Sequence, residues 1–182
     1  MAEKRRLFIN PNRLSDEIDS NGELILTSNE SHYLFRVMRM RSEDLLEVID
    51  GKGRLWNAKI VEKKTIKFTD GFDKPLEVVS RQRPLICIAV VIPKNGFENF
   101  LQMSCEIGVD IIQPLISQRS VVKECSSEKT IRFQKIIHEA VEQSERLWSP
   151  EIMQALTFAN WINDLPSEAQ IGFATTRIQN LQ

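Results

Sequence analysis

Residues 85–117 read "LICIAVVIPKNGFENFLQMSCEIGVDIIQPLIS", and the order of patterns inside them decides the fold class. Residues 85–92 are an unbroken apolar, β-branched run, as expected of a strand buried on both faces of a parallel sheet. A helix follows, with Phe97, Phe100, Leu101 and Ser104 on its inner side and Gly108 as the C-cap glycine. "VDIIQPLIS" is a second strand. Further on, "SSEKTIRFQKIIHEAVEQSERLW" has the length and period of a long helix, and "IGFATT" suggests a third strand. The sequence of patterns is β-α-β-α-β, which predicts an α/β domain with right-handed crossovers.

Toward the N-terminus the pattern changes to short strands and turns. "GELILTS" suggests a strand at 24–26, and residues 45–49, 55–61 and 65–69 read as a meander with a turn at 50–53. Turn signals every ten or so residues predict a small β-barrel. One helix interrupts it. In "TSNESHYLFRVMRM", Thr27 is an N-cap with Glu30 three residues on, a capping box, and Leu34, Val37 and Met38 form the apolar stripe. The chain thus divides into an α+β pair of domains: a small barrel over residues 1–80 and an α/β unit over 85–182, joined by a linker near 80–84.

Bulk properties narrow the function classes. A net charge of −1 over 182 residues announces no global basic field. Residues 1–84 hold 16 Lys+Arg against 14 Asp+Glu, and residues 85–182 hold 8 against 11, so the first part (+2) is the better polyanion contact than the second (−3). Cys87, Cys105 and Cys125 show no CxxC spacing, which argues against a disulfide scaffold or a zinc site. Cys87 and Cys105, in apolar surroundings, read as small core residues. His32 and His138 fall in different domains, so no metal centre is expected. No signal peptide or membrane-spanning run is apparent, and a reducing, cytoplasmic setting is expected. No Walker loop, Gly-x-Gly-x-x-Gly or nucleophile elbow is present.

Two stretches carry chemistry. In "HEAVEQSERLWSPEI", Glu139, Glu142, Gln143 and Arg146 recur at i, i+3, i+4 and i+7, along one helical edge, while Ile137, Val141, Ser144 and Trp148 fall on another stripe. Such an edge is either a solvated face with one Glu142–Arg146 pair or the polar lining of a site. Arg36, Arg39 and Arg41 form the densest basic cluster outside the N-terminus. Beside a small barrel they suggest contacts to RNA phosphates, the alternative being a solvated helix edge.

With "HYLFRVMRMRSEDLLEVIDGKG", "FLQMSCEIGVDIIQPLISQRSVVK" and "IIHEAVEQSERLWSPEI" in this order, the chain resembles the ribosomal RNA uridine-N3 methyltransferases of the small subunit, within the SPOUT or α/β-knot superfamily. The resemblance covers most of residues 31–152. It implies a PUA-like RNA-binding barrel, a knot-type α/β domain with a parallel sheet that binds S-adenosylmethionine, a homodimer, and 16S ribosomal RNA as the substrate. Met103 stands where the family has a lysine. The family's Gly-Pro-Glu-Gly-Gly and Leu-Gly-x-x-Ile-Leu-Arg cofactor segments have no counterpart before Gln182, so the α/β domain reads as C-terminally incomplete and no cofactor-binding residue is assigned. A sheet without its last strands would expose an apolar edge and favour self-association.

Methylation at N3 of uridine requires an unpaired or flipped base, loss of the N3 proton, and stabilisation of negative charge on O2 and O4. The resemblance points to Arg119 and Arg146 as the charge stabilisers. Glu142 and Gln143 would orient them or the base, and Arg36, Arg39 and Arg41 would hold RNA. The competing readings are a non-catalytic RNA-binding protein without the cofactor site and an unrelated small-molecule α/β enzyme. The missing phosphate loop disfavours the second.

Overall fold

The computed structural model describes residues 5–62, 64–118, 120, 122 and 125–174. The first sheet holds β1 (Arg6–Phe8), β2 (Glu23–Ile25), β3 (Leu45–Ile49), β4 (Arg54–Glu62), β5 (Thr65–Phe68) and β6 (Glu77–Val78). Its order is β1-β3-β4-β5-β2, with β6 beside the start of β4. β1 runs parallel to β3 and the other pairings are antiparallel.

Alternation along β4 and β5 sends Trp56, Ala58, Ile60, Ile66 and Phe68 into one core with Leu7, Leu24 and Leu46. The Trp56 indole N–H donates to the Phe72 carbonyl at 2.9 Å, so this buried ring keeps its polar atom satisfied. Among the described residues β1 and β2 end the pairing order, so no ladder hydrogen bonds between them close the ring expected of a barrel. Leu14 of α1 (Pro11–Asp16), Leu34 and Met40 complete the same core.

The capping box forms as read. Thr27 Oγ1 accepts from the Glu30 N–H at 3.3 Å, and the Glu30 carboxylate accepts from the Thr27 N–H at 2.7 Å. Glu30 also pairs with Arg13, fastening α2 (Ser28–His32) to α1. α2 then widens into a π-turn, Tyr33–Val37, in which the Met38 N–H reaches the Tyr33 carbonyl. Such π-turns recur at functional sites.

The second sheet is wholly parallel. β8 (Ile111–Ile116) is flanked on one side by β7 (Cys87–Val91) and on the other by two short pieces, β9 (Glu151–Ile152) and β10 (Leu156–Thr157). α3 (Phe97–Glu106) links β7 to β8, and α4 (Ser127–Gln143) links β8 to β9. Both connections step across the sheet in one direction, so crossovers of one hand lay both helices on one face. There they pack Phe97, Leu101, Phe133, Ile137 and Val141 over Ile112. A short α5 (Phe158–Asn163) follows β10.

Three expectations change here. β7 is an edge strand with helices on one face, so Ile88 and Val90 pack toward the core while Cys87 and Val91 are exposed. It is not buried on both faces, and Cys87 is not a core residue, whereas Cys105 is fully buried. In "IGFATT", read as a third strand, residues 171–174 form no strand, and 175–176 lie outside the described residues. β9 and β10 take its place beside β8.

The sheets meet at the β3–β4 turn. Ile49 and Leu55 enter the α/β core. The Gly53 N–H donates to the Leu147 carbonyl, the Ser149 N–H to Gly51, and the Val79 N–H to Gly53. The Trp148 indole N–H closes this knit with a 2.8 Å bond to the Val79 carbonyl.

Candidate functional site

The polar edge of α4 is shorter than its spacing suggested. The helix ends at Gln143, Ser144 Oγ donates to the Ala140 carbonyl at 2.6 Å, and Glu145 takes a left-handed φ of +57°. Arg146 therefore leaves the helical register, and Trp148 joins the domain seam instead of the buried helix stripe. Glu139 and Gln143 are exposed; Glu142 is the member that faces protein.

The Glu142 carboxylate accepts the Phe8 N–H of β1 at 2.7 Å, a contact spanning 134 positions. The Tyr33 hydroxyl interacts with the same carboxylate. One helical turn earlier, the His138 ring stacks on Phe8 at 3.8 Å between centroids. Burial drives the electrostatics of this cluster. Desolvation lifts the Glu142 carboxyl to about 7 against the opposing Phe8 and Tyr33 hydrogen bonds, with Glu139 and Glu30 adding repulsion. Desolvation alone lowers His138 to about 4. Burial first, and then the Glu142 charge, push the Tyr33 hydroxyl up to about 12. Glu142 thus ties α4 to β1.

Arg146 turns the other way. Its guanidinium lies against Gly108, where an added Cβ would sit 2.6 Å from Nη1, and its buried Nε has no hydrogen-bond partner. It supplies a positive charge just past the C-terminus of α3, whose last turn has none of its own. With Arg81, Asp110, Gly108 and Trp148 it lines a cavity of about 310 Å³ at the amino ends of β7 and β8. Arg81 is already engaged by Asp110 at 3.3 Å and lies over the Trp148 ring.

Arg119 lies outside the described residues, just after the carboxyl end of β8.

Arg36 sits in the π-turn, Arg39 follows it with φ +54°, and Arg41 comes two residues later; all three are exposed. Among the described residues, Arg5, Arg6, Arg13, Arg54, Arg81 and Arg132 have carboxylate partners within salt-bridge distance, whereas Arg83, Arg146 and the trio Arg36, Arg39 and Arg41 have none. Unpaired arginines gathered on one segment are the better candidates for an external anion.

The family model described as an RNA methyltransferase domain matches residues 81–181, more than half of the sequence. The chain belongs to the RNA methyltransferase family. An RNA methyltransferase PUA domain model matches residues 26–70, so the mixed α/β fold includes a PUA domain. The chain is 34% identical to a ribosomal RNA small subunit methyltransferase E of Synechocystis, across 86% of this chain and 50% of that protein. A relative of the same description from Buchnera aphidicola is 33% identical, across 81% of this chain and 60% of that protein. The chain therefore spans about half to three-fifths of these relatives' length. In fold it is similar to a ribosomal RNA small subunit methyltransferase E from Neisseria gonorrhoeae solved with S-adenosyl methionine, with a TM-score of 0.69 and 24% identity over 91% of this chain and 67% of that one.

Open α/β sheets bind nucleotides at the carboxyl ends of their strands. The 310 Å³ cavity lies at the amino ends, and a second, of about 470 Å³, lies in the first domain beside Asp19, Gly22 and Phe72. Neither lies at the carboxyl ends of the strands.

Proposed function

We propose that this chain is the RNA-holding part, together with the first strands and helices of the catalytic domain, of an S-adenosylmethionine-dependent methyltransferase. The enzyme acts on N3 of a uridine in 16S ribosomal RNA. One observation carries the RNA side: three exposed arginines without acidic partners stand together on a PUA domain joined to a methyltransferase-family domain. In this reading the domains divide at 80–85, the α/β part is knot-type, the protein works as a cytoplasmic homodimer, and Arg36, Arg39 and Arg41 meet phosphates. Arg119, beyond the carboxyl end of β8, stabilises charge on the uracil, and the exposed Gln143 contacts substrate. Glu142 and Arg146 serve the architecture, as their placement at the seam supports. No step is drawn through the cofactor.

The alternative reading is RNA binding without methylation. Titrating a fluorescent single-stranded RNA over a salt series, with calorimetry against S-adenosylmethionine, separates the two. The chain is expected to bind RNA with an affinity that falls steeply with salt. Replacing Arg36 and Arg39 together by Ala should flatten the log–log slope by about 1.4, at about 0.7 per single-strand phosphate contact. Cofactor binding supports the methyltransferase reading for this chain. RNA binding with no cofactor binding supports the second, and no RNA binding removes both.

A further inference from the structure

We propose that Phe158 and Trp161 form a stacking platform for an unpaired RNA base at the carboxyl end of the parallel sheet. The inference rests on the RNA reading above. It adds to the phosphate contacts of the arginine cluster a contact to a base, made by the other domain.

The local fold sets the two rings out. β10 runs parallel to the end of β8, with Leu156 opposite Leu115 and Thr157 opposite Ile116, so α5 begins where the sheet's carboxyl end leaves off. That is the end at which open α/β sheets take their ligands. Thr157 Oγ1 accepts the Asn160 N–H at 3.3 Å and caps the helix, which fixes Phe158 as its first residue. Phe158 and Trp161, three residues apart, share a helix face, with ring centroids 5.9 Å apart and ring planes at 55°. Two rings at that tilt make an open corner: one face to stack on, and a wall beside it.

Three features set this pair apart from ordinary packing. The first is exposure. Phe158 is 45% exposed, and neither ring belongs to the two cores or to the partly buried residues packed on them. The second is the indole N–H. Those of Trp56 and Trp148 donate to the Phe72 and Val79 carbonyls, as structural tryptophans do, whereas that of Trp161 has no acceptor among the described residues. The third is charge. Residues 152–163 contain no Asp, Glu, Lys or Arg, and the polar side chains of α5 are the amides of Asn160 and Asn163. A phosphate would find no cation there. A base offers a flat π-face to the rings and hydrogen-bonding edges to the indole and the amides. An apolar protein surface seated on the same corner would leave those polar groups without partners.

Two fluorescent strands of equal length, oligouridine and an abasic sugar–phosphate chain, test this, because only the first carries bases. Phe158→Leu keeps apolar bulk and loses the π-face; Phe158→Tyr keeps the ring. Phe158→Leu should weaken oligouridine binding by about fivefold or more, the lower bound for one stacked base, while Phe158→Tyr stays near wild type. The slope of log affinity against log salt should not change, because no phosphate contact is lost. The abasic strand should bind all three proteins alike, which also shows that the variants are folded. If Phe158→Leu does not fold, Trp161→Leu against Trp161→Phe makes the same comparison. Oligouridine binding that the leucine variant leaves unchanged overturns the inference alone. An equal loss on both strands does so too, since the rings would then serve the fold or pack against more protein. Failure of the unmodified chain to bind either strand overturns the RNA reading, and the inference with it.

Discussion

Gly53→Ala should be the most damaging single methyl in this protein. Gly53 sits at φ +91°, and a Cβ there would lie 2.3 Å from the Val79 carbonyl oxygen and 2.7 Å from the Trp148 indole nitrogen. Neither neighbour can give way freely. The Val79 carbonyl accepts the Trp148 indole N–H, and the Gly53 backbone bonds both Leu147 and Val79. The left-handed conformation alone costs a non-glycine residue about 1–2 kcal/mol. Moving the backbone carbonyl that accepts the Trp148 indole N–H, next to the Val79 N–H bond to Gly53, should raise the total to about 3 kcal/mol or more. For a chain of this size that lowers the melting temperature by roughly 6–12 °C. Gly22→Ala is the control, because Gly22 has φ +74° but nothing within 4 Å of the added Cβ. Thermal unfolding of the two variants side by side isolates the contact. If Gly53→Ala melts within about a degree of Gly22→Ala, the seam is softer than its hydrogen bonds imply.

The contrast between these glycines shows what the sequence discloses. "DGKG" reads as a turn, and so it is; nothing within ten residues says that Gly53 must also admit Trp148, 95 positions away. Local chemistry was legible where the partners are local. Thr27 and Glu30 cap α2, Gly108 follows α3 with φ +88°, and the strands read at 45–49 and 65–69 form at 45–49 and 65–68. The polar edge of α4 was half legible. Glu139, Glu142 and Gln143 keep helical spacing, but the left-handed Glu145 removes Arg146, and no side-chain period records a backbone reversal. Nor could spacing separate Glu142 from its neighbour Gln143. Burial does that, and it comes from Phe8, at the far end of the chain. Arg36, Arg39 and Arg41 were visible as a cluster; that they lack acidic partners among the described residues, while six other arginines have them, required the fold.

The seam should also hide two pH dependences that single substitutions uncover. The Glu142 carboxyl titrates near 7 in the fold against 4.5 ordinarily. Between those values the folded chain binds the extra proton, so this group's contribution makes stability fall as pH rises from about 4.5 to about 7. His138 does the reverse. It titrates near 4 in the fold against 6.5 ordinarily, so the unfolded chain binds the extra proton and stability rises with pH over that interval. Discounted for partial exposure, each amounts to about 2 kcal/mol, and across pH 4.5–6.5 they nearly cancel. Glu142→Gln removes the falling limb, so its stability relative to wild type should climb by about 2 kcal/mol from pH 4.5 to 7. His138→Phe keeps an aromatic stack on Phe8 and removes the rising limb. Its stability relative to wild type should therefore drop by a similar amount from pH 4 to 6.5. Urea unfolding of the three proteins at half-unit pH steps gives both difference curves directly. Titrations elsewhere in the chain are common to all three and subtract out. Two flat curves would mean that Glu142 is ionised and His138 able to take a proton within the fold, which burial between α4, β1 and the π-turn would then have failed to prevent.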